Sequence, residues 1–357
     1  MNEISRESGG RIIDGRSIDL IRMTNDQGFA VELTNWGATW ISARFPSRNN
    51  TTDNLLLGYP TPEGYISDRF YMGATIGRFA NRIGNARFSI GPMDYQLEAN
   101  DGKNSNHGGF SGFHHKVWDM EFPGNGVIFT LDSMDGEGGY PGNLHAEVFY
   151  QLDEENNVTI RFRATSDQPT FLNLTNHAYF NLSGSDDILK HSLQVRARKI
   201  LETSEDYIPT GRFIPVKDSP FDFCSLQKIG NHIFDDNQQL TWNRGYNHCF
   251  VLDKENPGIP EAILWEDTTG RKIELFTSYP GLLLYTGNYL DSPEPGTGIK
   301  TFRMYNGLCL EAQFFPDTPH HPHFPGCLLM EDEVYDHFIR FRFSEVIKDQ
   351  KITDKDF

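Results

Sequence analysis

The sequence predicts an all-β fold, a large β-sandwich. Three observations support this prediction. Apolar and polar residues alternate with a period of two in many segments, short turn clusters separate these segments, and long capped helical patterns are missing. Since no segment repeats at a period of about twenty to fifty residues either, helix bundles, βαβ folds and propeller-like arrays are all disfavoured. Stacked β-sheets remain as the fold class.

The clearest predicted strand lies at 144–152, where apolar residues occupy every second position. Leu144, Ala146 and Val148 begin its apolar face. The same alternation predicts strands at 29–45, 158–165, 261–277, 282–290 and 339–343. Turn clusters at 123–126 and 268–270 lie between such segments. The predicted strands are thus spread along the chain.

We expect one domain over residues 1–357, with 1–15 and 346–357 as peripheral tails. The 357 residues suffice for one large β-domain or for two smaller ones. No Pro/Ser-rich or Gly/Ser-rich linker interrupts the sequence, which favours a single domain. An aromatic content of 13% supplies enough apolar mass for a sizeable core.

The acidic net charge disfavours nucleic acids and anionic lipid surfaces as partners. With 32 basic and 49 acidic residues the formal net charge is −17, so the average surface repels nucleic-acid phosphates and anionic lipids. The amino-terminal segment lacks the apolar core of a signal peptide, and no stretch reaches the length of a membrane span. We therefore expect a cytoplasmic protein that binds neither nucleic acid nor membranes.

Neither the cysteines nor a histidine-rich stretch predicts a metal site. Cys224, Cys249, Cys309 and Cys327 lack CxxC spacing and are interpreted as small buried apolar residues. The stretch 319–323 holds three histidines and two prolines, but no HExxH motif or cysteine partner accompanies it. A Pro-rich surface loop is the favoured interpretation.

Polar but uncharged side chains mark the segment 171–182 as a candidate site. Strand alternation predicts a polar face opposite a mainly apolar one. The polar face comprises Asn173, Thr175, His177, Tyr179 and Asn181. Amides, hydroxyls and an imidazole are groups that hydrogen-bond a neutral sugar. An internal hydrogen-bond ladder explains the same pattern and is the commoner role for a lone histidine, so both interpretations stay open.

Glu311 is the only charged residue in the apolar segment 307–316. Strand alternation places it on the face opposite Leu310 and Ala312. A carboxylate among apolar and amide neighbours loses hydration, which raises its pKa toward that of a usable general base. A solvated glutamate on an exposed face explains the sequence equally well.

Two further segments contain candidate site residues. His107 lies in a Gly- and Asn-rich segment at 104–109, as expected of a site loop, although turn formation alone explains this composition. The segment 77–83, which contains Arg78 and Arg82, is a candidate to bring an arginine toward the same site. Arginine pairing with one of the many acids is the commoner outcome.

Taken together, seven motifs resemble the aldose 1-epimerase (galactose mutarotase) family. They lie at 35–38, 77–83, 106–109, 135–137, 139–143, 173–182 and 310–313. Their order matches that of the family from about residue 29 to residue 343. Several motifs in the right order are far more specific than any one of them.

The resemblance implies a single large antiparallel β-sandwich, the galactose mutarotase-like supersandwich, with the sugar in a cleft on one sheet. It implies a monomer or homodimer that needs no cofactor and no metal. His177 matches the family's proton donor and Glu311 its proton acceptor. His107 is expected to assist catalysis by steadying the oxygen that develops charge.

The resemblance also implies which residues bind the sugar. The matching positions are Asn81, Arg82, His107 and Tyr179. Asn247 and Tyr279 are two more, although the family usually has aspartate at the first and often glutamine at the second. An amide keeps the length of aspartate and one acceptor but loses the charge. We therefore expect a change in sugar preference rather than a loss of activity.

The predicted function is an aldose 1-epimerase that interconverts α and β anomers of a free aldose of the glucose or galactose type by opening and closing the ring. One alternative is a non-catalytic carbohydrate-binding protein on the same fold, to which Asn247 is the one pointer. Another is a glycosidase, which ordinarily needs two opposed carboxylates rather than one carboxylate and a histidine.

Overall fold

A computed structural model describes residues 3–48, 51–184, 187–254, 258–293, 295–298 and 301–346. The strands are β1 (Glu3–Ile13), β2 (Arg16–Thr24), β3 (Ala30–Thr34), β4 (Thr39–Pro46), β5 (Thr52–Asn54), β6 (Thr75–Ile76), β7 (Arg82–Ile83), β8 (Arg87–Ile90), β9 (Met93–Gln96), β10 (Ser105–Asn106), β11 (Asp119–Glu121), β12 (Gly126–Ser133), β13 (Leu144–Leu152), β14 (Asn157–Ser166), β15 (Thr170–Phe171), β16 (Thr175–Asn176), β17 (Tyr179–Phe180), β18 (Ser192–Val195), β19 (Ala197–Thr203), β20 (Pro209–Pro215), β21 (Gln227–Lys228), β22 (Asn247–Leu252), β23 (Ala262–Trp265), β24 (Arg271–Thr277), β25 (Gly281–Tyr285), β26 (Leu308–Gln313), β27 (Leu328–Leu329) and β28 (Tyr335–Glu345). The helices are α1 (Pro62–Ile66) and α2 (Gln238–Asn243), with 3-10 turns at Gly84–Ala86, Phe113–His115, Glu137–Gly139, Ile229–Asn231 and Thr318–His320. No helix in the described ranges is long and apolar enough to cross a lipid bilayer.

Three large sheets contain most of the strands. Their orders are β1-β2-β3-β4-β5, β11-β12-β13-β14-β28-β24-β23-β18-β21 and β17-β26-β25-β22-β19-β20. Every strand pair within them is antiparallel. The all-β, antiparallel fold class predicted from the sequence is confirmed.

The nine-stranded sheet has one apolar side and one side that faces solvent. In β14, Val158, Ile160 and Phe162 are fully buried, whereas the intervening Arg161 and Arg163 are exposed. Burial of each apolar side chain of this size contributes about 1.5–3 kcal/mol. The alternation fixes the strand register, because a shift by one residue would turn the whole apolar set toward water.

The six-stranded sheet is buried on both sides at its centre. In β25, Leu282 belongs to the main core, whereas the neighbouring Leu283 and Tyr285 face a cavity. The same division recurs in β26, where Leu310 is a core residue and Glu311 lines the cavity. One side of this sheet therefore forms part of the core, and the other side forms the floor of a candidate site.

A single hydrophobic cluster joins the three sheets and extends in sequence from Ile21 to Phe343. Trp40 of the five-stranded sheet packs edge-on against Phe180 of the six-stranded sheet and against Phe343 of the nine-stranded sheet, with centroid distances of 5.9 and 6.2 Å. Such aromatic pairs contribute about 0.5–1.5 kcal/mol beyond the area that they bury. The sheets that carry the site thus share one core.

The amino-terminal segment, predicted to be a peripheral tail, forms an edge strand whose register shifts between Ser8 and Arg11. β1 pairs with β2, and ion pairs join Arg6 to Asp19 and Arg11 to Glu63. Most of its side chains are exposed, so the strand lies at the periphery of the sheet. Of the predicted carboxyl-terminal tail, the structure describes Val346, and residues 347–357 lie outside the described residues.

The prediction that all four cysteines are buried is wrong for one of them. Cys249, Cys309 and Cys327 are buried, whereas Cys224 is exposed. Cys224 directly follows Phe223. Phe221 and Phe223 are core residues, whereas the side chain of Cys224 lies at the surface.

Candidate active site

A cavity of about 430 Å³ lies on the outer side of the six-stranded sheet. Its floor comes from three adjacent strands, with Asn247 on β22, Leu283 and Tyr285 on β25 and Glu311 on β26. His177 and Tyr179 line the same cavity from the segment that leads into β17. The sheet therefore brings together residues that are far apart in sequence.

His177 and Glu311 form a buried pair. His177 Nε2 lies 3.6 Å from Glu311 Oε1, and neither carboxylate oxygen has a hydrogen-bond partner in the described part of the chain. Burial raises the pKa of Glu311 to about 8, an effect that the charge of Arg82 opposes. Burial lowers the pKa of His177 to about 4. The desolvation expected of Glu311 from the sequence is present, and the exposed alternative is excluded.

The segment 171–182 is not one continuous strand with a sugar-facing side. Asn173 donates to the carbonyls of Ala80 and Phe314 and accepts the N–H of Phe314, while Thr175 donates to the carbonyl of Ala312. For these residues the internal hydrogen-bond ladder is the correct interpretation.

The side chain of His177 is not part of this ladder, because the regular strand structure is interrupted around it. β16 ends at Asn176 and pairs with β6, whereas β17 begins at Tyr179 and pairs with β26. His177 and Ala178 lie between these two short pairings and belong to neither. The change of partner leaves the imidazole in the cavity beside Glu311.

His107 is a second buried imidazole in the cavity. Its Nδ1 accepts the N–H of Asn81 at 3.3 Å, and burial lowers the pKa of His107 well below its usual value. A neutral imidazole that accepts at Nδ1 carries its proton on Nε2, so His107 is a hydrogen-bond donor. A Cβ on the adjacent Gly108 would lie 2.0 Å from the carbonyl oxygen of Gly77, so glycine is required for this close approach.

Arg82 reaches the cavity and also forms an ion pair. Its Nε donates to Asp101 at 2.7 Å, and its guanidinium lies 4.9 Å from the centroid of the Tyr207 ring. Both interpretations of this residue from the sequence are therefore correct. Its main-chain carbonyl accepts the N–H of Asp317, which fixes the neighbouring backbone.

Asp317 also holds the histidine-rich stretch. His320 Nδ1 lies 2.6 Å from one carboxylate oxygen of Asp317, and His321 Nε2 lies 3.4 Å from the other. This contact raises the pKa of His320. The carboxylate thus ties the loop to the segment that carries Arg82.

Tyr279 does not reach the cavity, contrary to the substrate-binding role expected of it. The side chain is fully buried in the core, where its hydroxyl lies 2.7 Å from that of Tyr335 and its ring stacks on His337. Tyr279 lies in the bend before β25 begins at Gly281. The alternation that turns Leu283 toward the cavity therefore does not extend back to it.

Several cavity residues have no signal in the sequence. The clearest case is Tyr71. The centroid of its ring lies 4.5 Å from that of His107 and 5.7 Å from that of His177. Tyr71, Asn81 and His107 all have positive φ values, of 59, 66 and 52°. Such strained backbone is commonly found at functional sites. Leu283 and Tyr285 lie in β25, where every residue is buried, so alternation does not show that they face the cavity.

Comparisons with known proteins identify the family of the chain. The family model for aldose 1-epimerase matches residues 19–342. An aldose 1-epimerase from Escherichia coli is 36% identical over 335 residues, which cover 92% of this chain and 96% of the relative. A galactose mutarotase from Mus musculus is 37% identical over 332 residues, covering 92% and 95%. A crystal structure of galactose 1-epimerase from Lactobacillus acidophilus has a TM-score of 0.85 at 30% identity and covers 97% of this chain and 99% of its own. The chain therefore belongs to the aldose 1-epimerase family of isomerases.

Proposed function

We propose that the cavity interconverts the α and β anomers of a free aldose by opening and closing the sugar ring. The observation that carries this proposal is the buried pair of His177 Nε2 and Glu311 Oε1, 3.6 Å apart. At this separation the two atoms lie side by side without a good hydrogen bond. Each is therefore available to a substrate oxygen.

The proposed reaction moves two protons. Glu311 takes the proton of the anomeric hydroxyl while His177 donates a proton to the ring oxygen, so the bond between that oxygen and the anomeric carbon breaks and an aldehyde forms. Rotation about the adjacent carbon–carbon bond presents the other face of the aldehyde. The reverse transfers close the ring as the other anomer. One acid and one base each contribute about 10²-fold to 10⁴-fold, which suffices for a reaction that already proceeds in water.

The proton count of the pair suits this reaction. Burial favours the uncharged form, with the proton on Glu311 and a neutral His177. The reactive form, a carboxylate beside an imidazolium, contains the same number of protons. The two forms differ only in the position of one proton, so the reactive form needs no additional proton from solvent.

Fixed donors around the pair support the proposal. The Nε2–H of His107 and the guanidinium of Arg82 line the same cavity. Donors that are already oriented stabilise an oxygen as it gains negative charge without further reorganisation. The lining thus suits both the neutral hydroxyls of a sugar and the charge that develops during ring opening.

The test is polarimetry of freshly dissolved α-glucose and α-galactose with Glu311→Gln and His177→Asn. We expect each variant to lose about 10²-fold to 10⁴-fold of the catalysed rate. Glu274→Gln is a matched control, because Glu274 is a buried glutamate that pairs with Arg342 outside the cavity. Unchanged rates in the two site variants would reject the proposal.

A carbohydrate-binding protein without activity is the alternative, and binding of galactose without acceleration by the wild-type protein would support it.

Asn247 lines the cavity, so a rate comparison among aldoses would show its effect on sugar preference. The cytoplasmic location and the monomeric or homodimeric state stay predictions from the sequence.

A further inference from the structure

The buried thiol of Cys309 contacts His177 at the ring nitrogen that does not face Glu311. Its Sγ lies 3.4 Å from Nδ1, and both side chains are buried. Cys309 and Glu311 are two residues apart on β26 and therefore point to the same side of the strand. β26 thus supplies the side chains next to both nitrogens of the imidazole.

The other neighbours of the imidazole pack against it as rings. Tyr71, His107, Tyr179 and Tyr285 surround it with centroid distances between 5.0 and 6.1 Å. In the described part of the chain, the carboxyl group paired with the ring is that of Glu311, on the Nε2 side. Among the described residues, Cys309 is the side chain that hydrogen-bonds Nδ1. This thiol is therefore the polar contact to Nδ1 in the described part of the chain.

We propose that Cys309 is a positioning residue whose sulfur accepts the Nδ1–H of His177 and so keeps the mobile proton on the Nε2 edge, toward Glu311 and the sugar. The inference rests on the proposed function. Nδ1 carries a proton both in the uncharged form of the pair and in the carboxylate–imidazolium form. The other proton is the one that Nε2 gives and receives. That N–H needs an acceptor in a buried site.

The weakness of sulfur as an acceptor suits this role. A carboxylate beside Nδ1 would stabilise the imidazolium and hold the proton on the ring, as the aspartate of a Ser-His-Asp triad does. A thiol is a weak donor and a weak acceptor. It orients the ring but leaves the imidazolium a strong acid, ready to protonate the ring oxygen of the sugar.

The test compares Cys309→Ala and Cys309→Ser with the matched control Cys327→Ala, which removes another buried thiol in the core, away from the cavity. We expect Cys309→Ala to lower kcat about tenfold with KM within about twofold, the lower end of the loss seen when the partner that orients a metal-bound imidazole is removed. We expect Cys309→Ser to stay within about threefold of wild type, because a hydroxyl is also an acceptor.

The pH profile separates positioning from simple space filling. A serine hydroxyl, as the stronger acceptor, is expected to move the acid limb of the rate profile to higher pH, whereas alanine moves it to lower pH. Equal losses of kcat in both variants with an unmoved acid limb would overturn the inference. An effect of Cys309→Ala no larger than that of Cys327→Ala would do the same.

¹⁵N NMR of the histidine rings tests the contact independently of activity. We expect the Nδ1 resonance of His177 to move in Cys309→Ala and Cys309→Ser but not in Cys327→Ala. An unmoved resonance overturns the inference even if the wild-type protein is inactive. A wild-type protein that does not accelerate mutarotation, but shows the NMR shifts, contradicts the proposed function alone and supports the contact.

Discussion

Burial moves the pKa values of the two proton-carrying residues in opposite directions. It raises the pKa of Glu311 to about 8, against the opposing charge of Arg82, and lowers that of His177 to about 4. Because the two groups lie 3.6 Å apart, both values belong to the pair rather than to either residue. Besides the proton on Nδ1 of His177, the pair holds one proton, whichever residue carries it.

This proton count predicts a bell-shaped pH dependence of kcat/KM. Below about pH 4 the pair gains a second proton, so no base remains, and the rate rises as pH increases through that value. Above about pH 8 the pair loses its last proton, so no acid remains, and the rate falls. Polarimetry from pH 3.5 to pH 10, corrected at each pH for the uncatalysed reaction, measures both limbs. A rate that stays level beyond pH 9.5 would contradict this assignment.

At the scale of a strand, Tyr279 matches a sugar-binding position of the family in sequence, but its side chain lies in the core and does not line the cavity. Its hydroxyl lies 2.7 Å from the hydroxyl of Tyr335, which also accepts the N–H of Leu174. These contacts lie on the core side of the six-stranded sheet, opposite the cavity. Tyr279 therefore supports the fold rather than the sugar.

We expect Tyr279→Phe to lower the free energy of unfolding by about 1 kcal/mol, the net value of one buried hydrogen bond. Urea denaturation measures this loss. The KM for galactose should stay within about twofold of wild type, because the ring does not line the cavity. Tyr335→Phe is the companion variant and should cost more stability, since it also leaves the N–H of Leu174 without its acceptor. A large rise in KM for Tyr279→Phe would restore the sugar-binding role.

Strands whose pattern is local were predictable from the sequence. The predicted strand at 144–152 matches β13, and those at 158–165 and 339–343 fall within β14 and β28. In these strands one face lies in the core and the other faces solvent, so alternation is visible in the residues themselves.

The central strands of the site gave a weaker signal because both of their faces are buried. Every residue of β25 and β26 is buried, so alternation could not show which face lines a cavity. The position of His177 depends on where β16 leaves β6 and β17 joins β26. These pairings join residues between 99 and 130 positions apart, and their contacts are set by the whole fold rather than by local pattern. Motif order identified His177 and Glu311, whereas Tyr71 and Leu283 emerged from the structure.

At the scale of the whole molecule, the site and the core cannot be separated. The cavity draws residues from Arg69 to Glu311, and the hydrophobic cluster beneath it runs from Ile21 to Phe343 through all three large sheets. No part of the described chain that carries a site residue has a separate core of comparable extent. We therefore expect the protein to unfold as one unit, and we expect a sugar in the cavity to stabilise all of it.

Thermal unfolding tests both expectations. A single transition is predicted, and saturating galactose should raise its midpoint by a few degrees, because ligand at about one hundred times Kd stabilises the folded state by about 2.7 kcal/mol. Glu311→Gln should keep most of this shift while losing the catalysed rate, since an amide of the same length still contacts hydroxyls but cannot take a proton. Galactitol, which cannot form a ring, is the control ligand and should shift the midpoint far less. Two separate transitions would argue against a single domain. Equal shifts for galactose and galactitol in the wild-type protein would show that the stabilising site does not recognise the sugar ring.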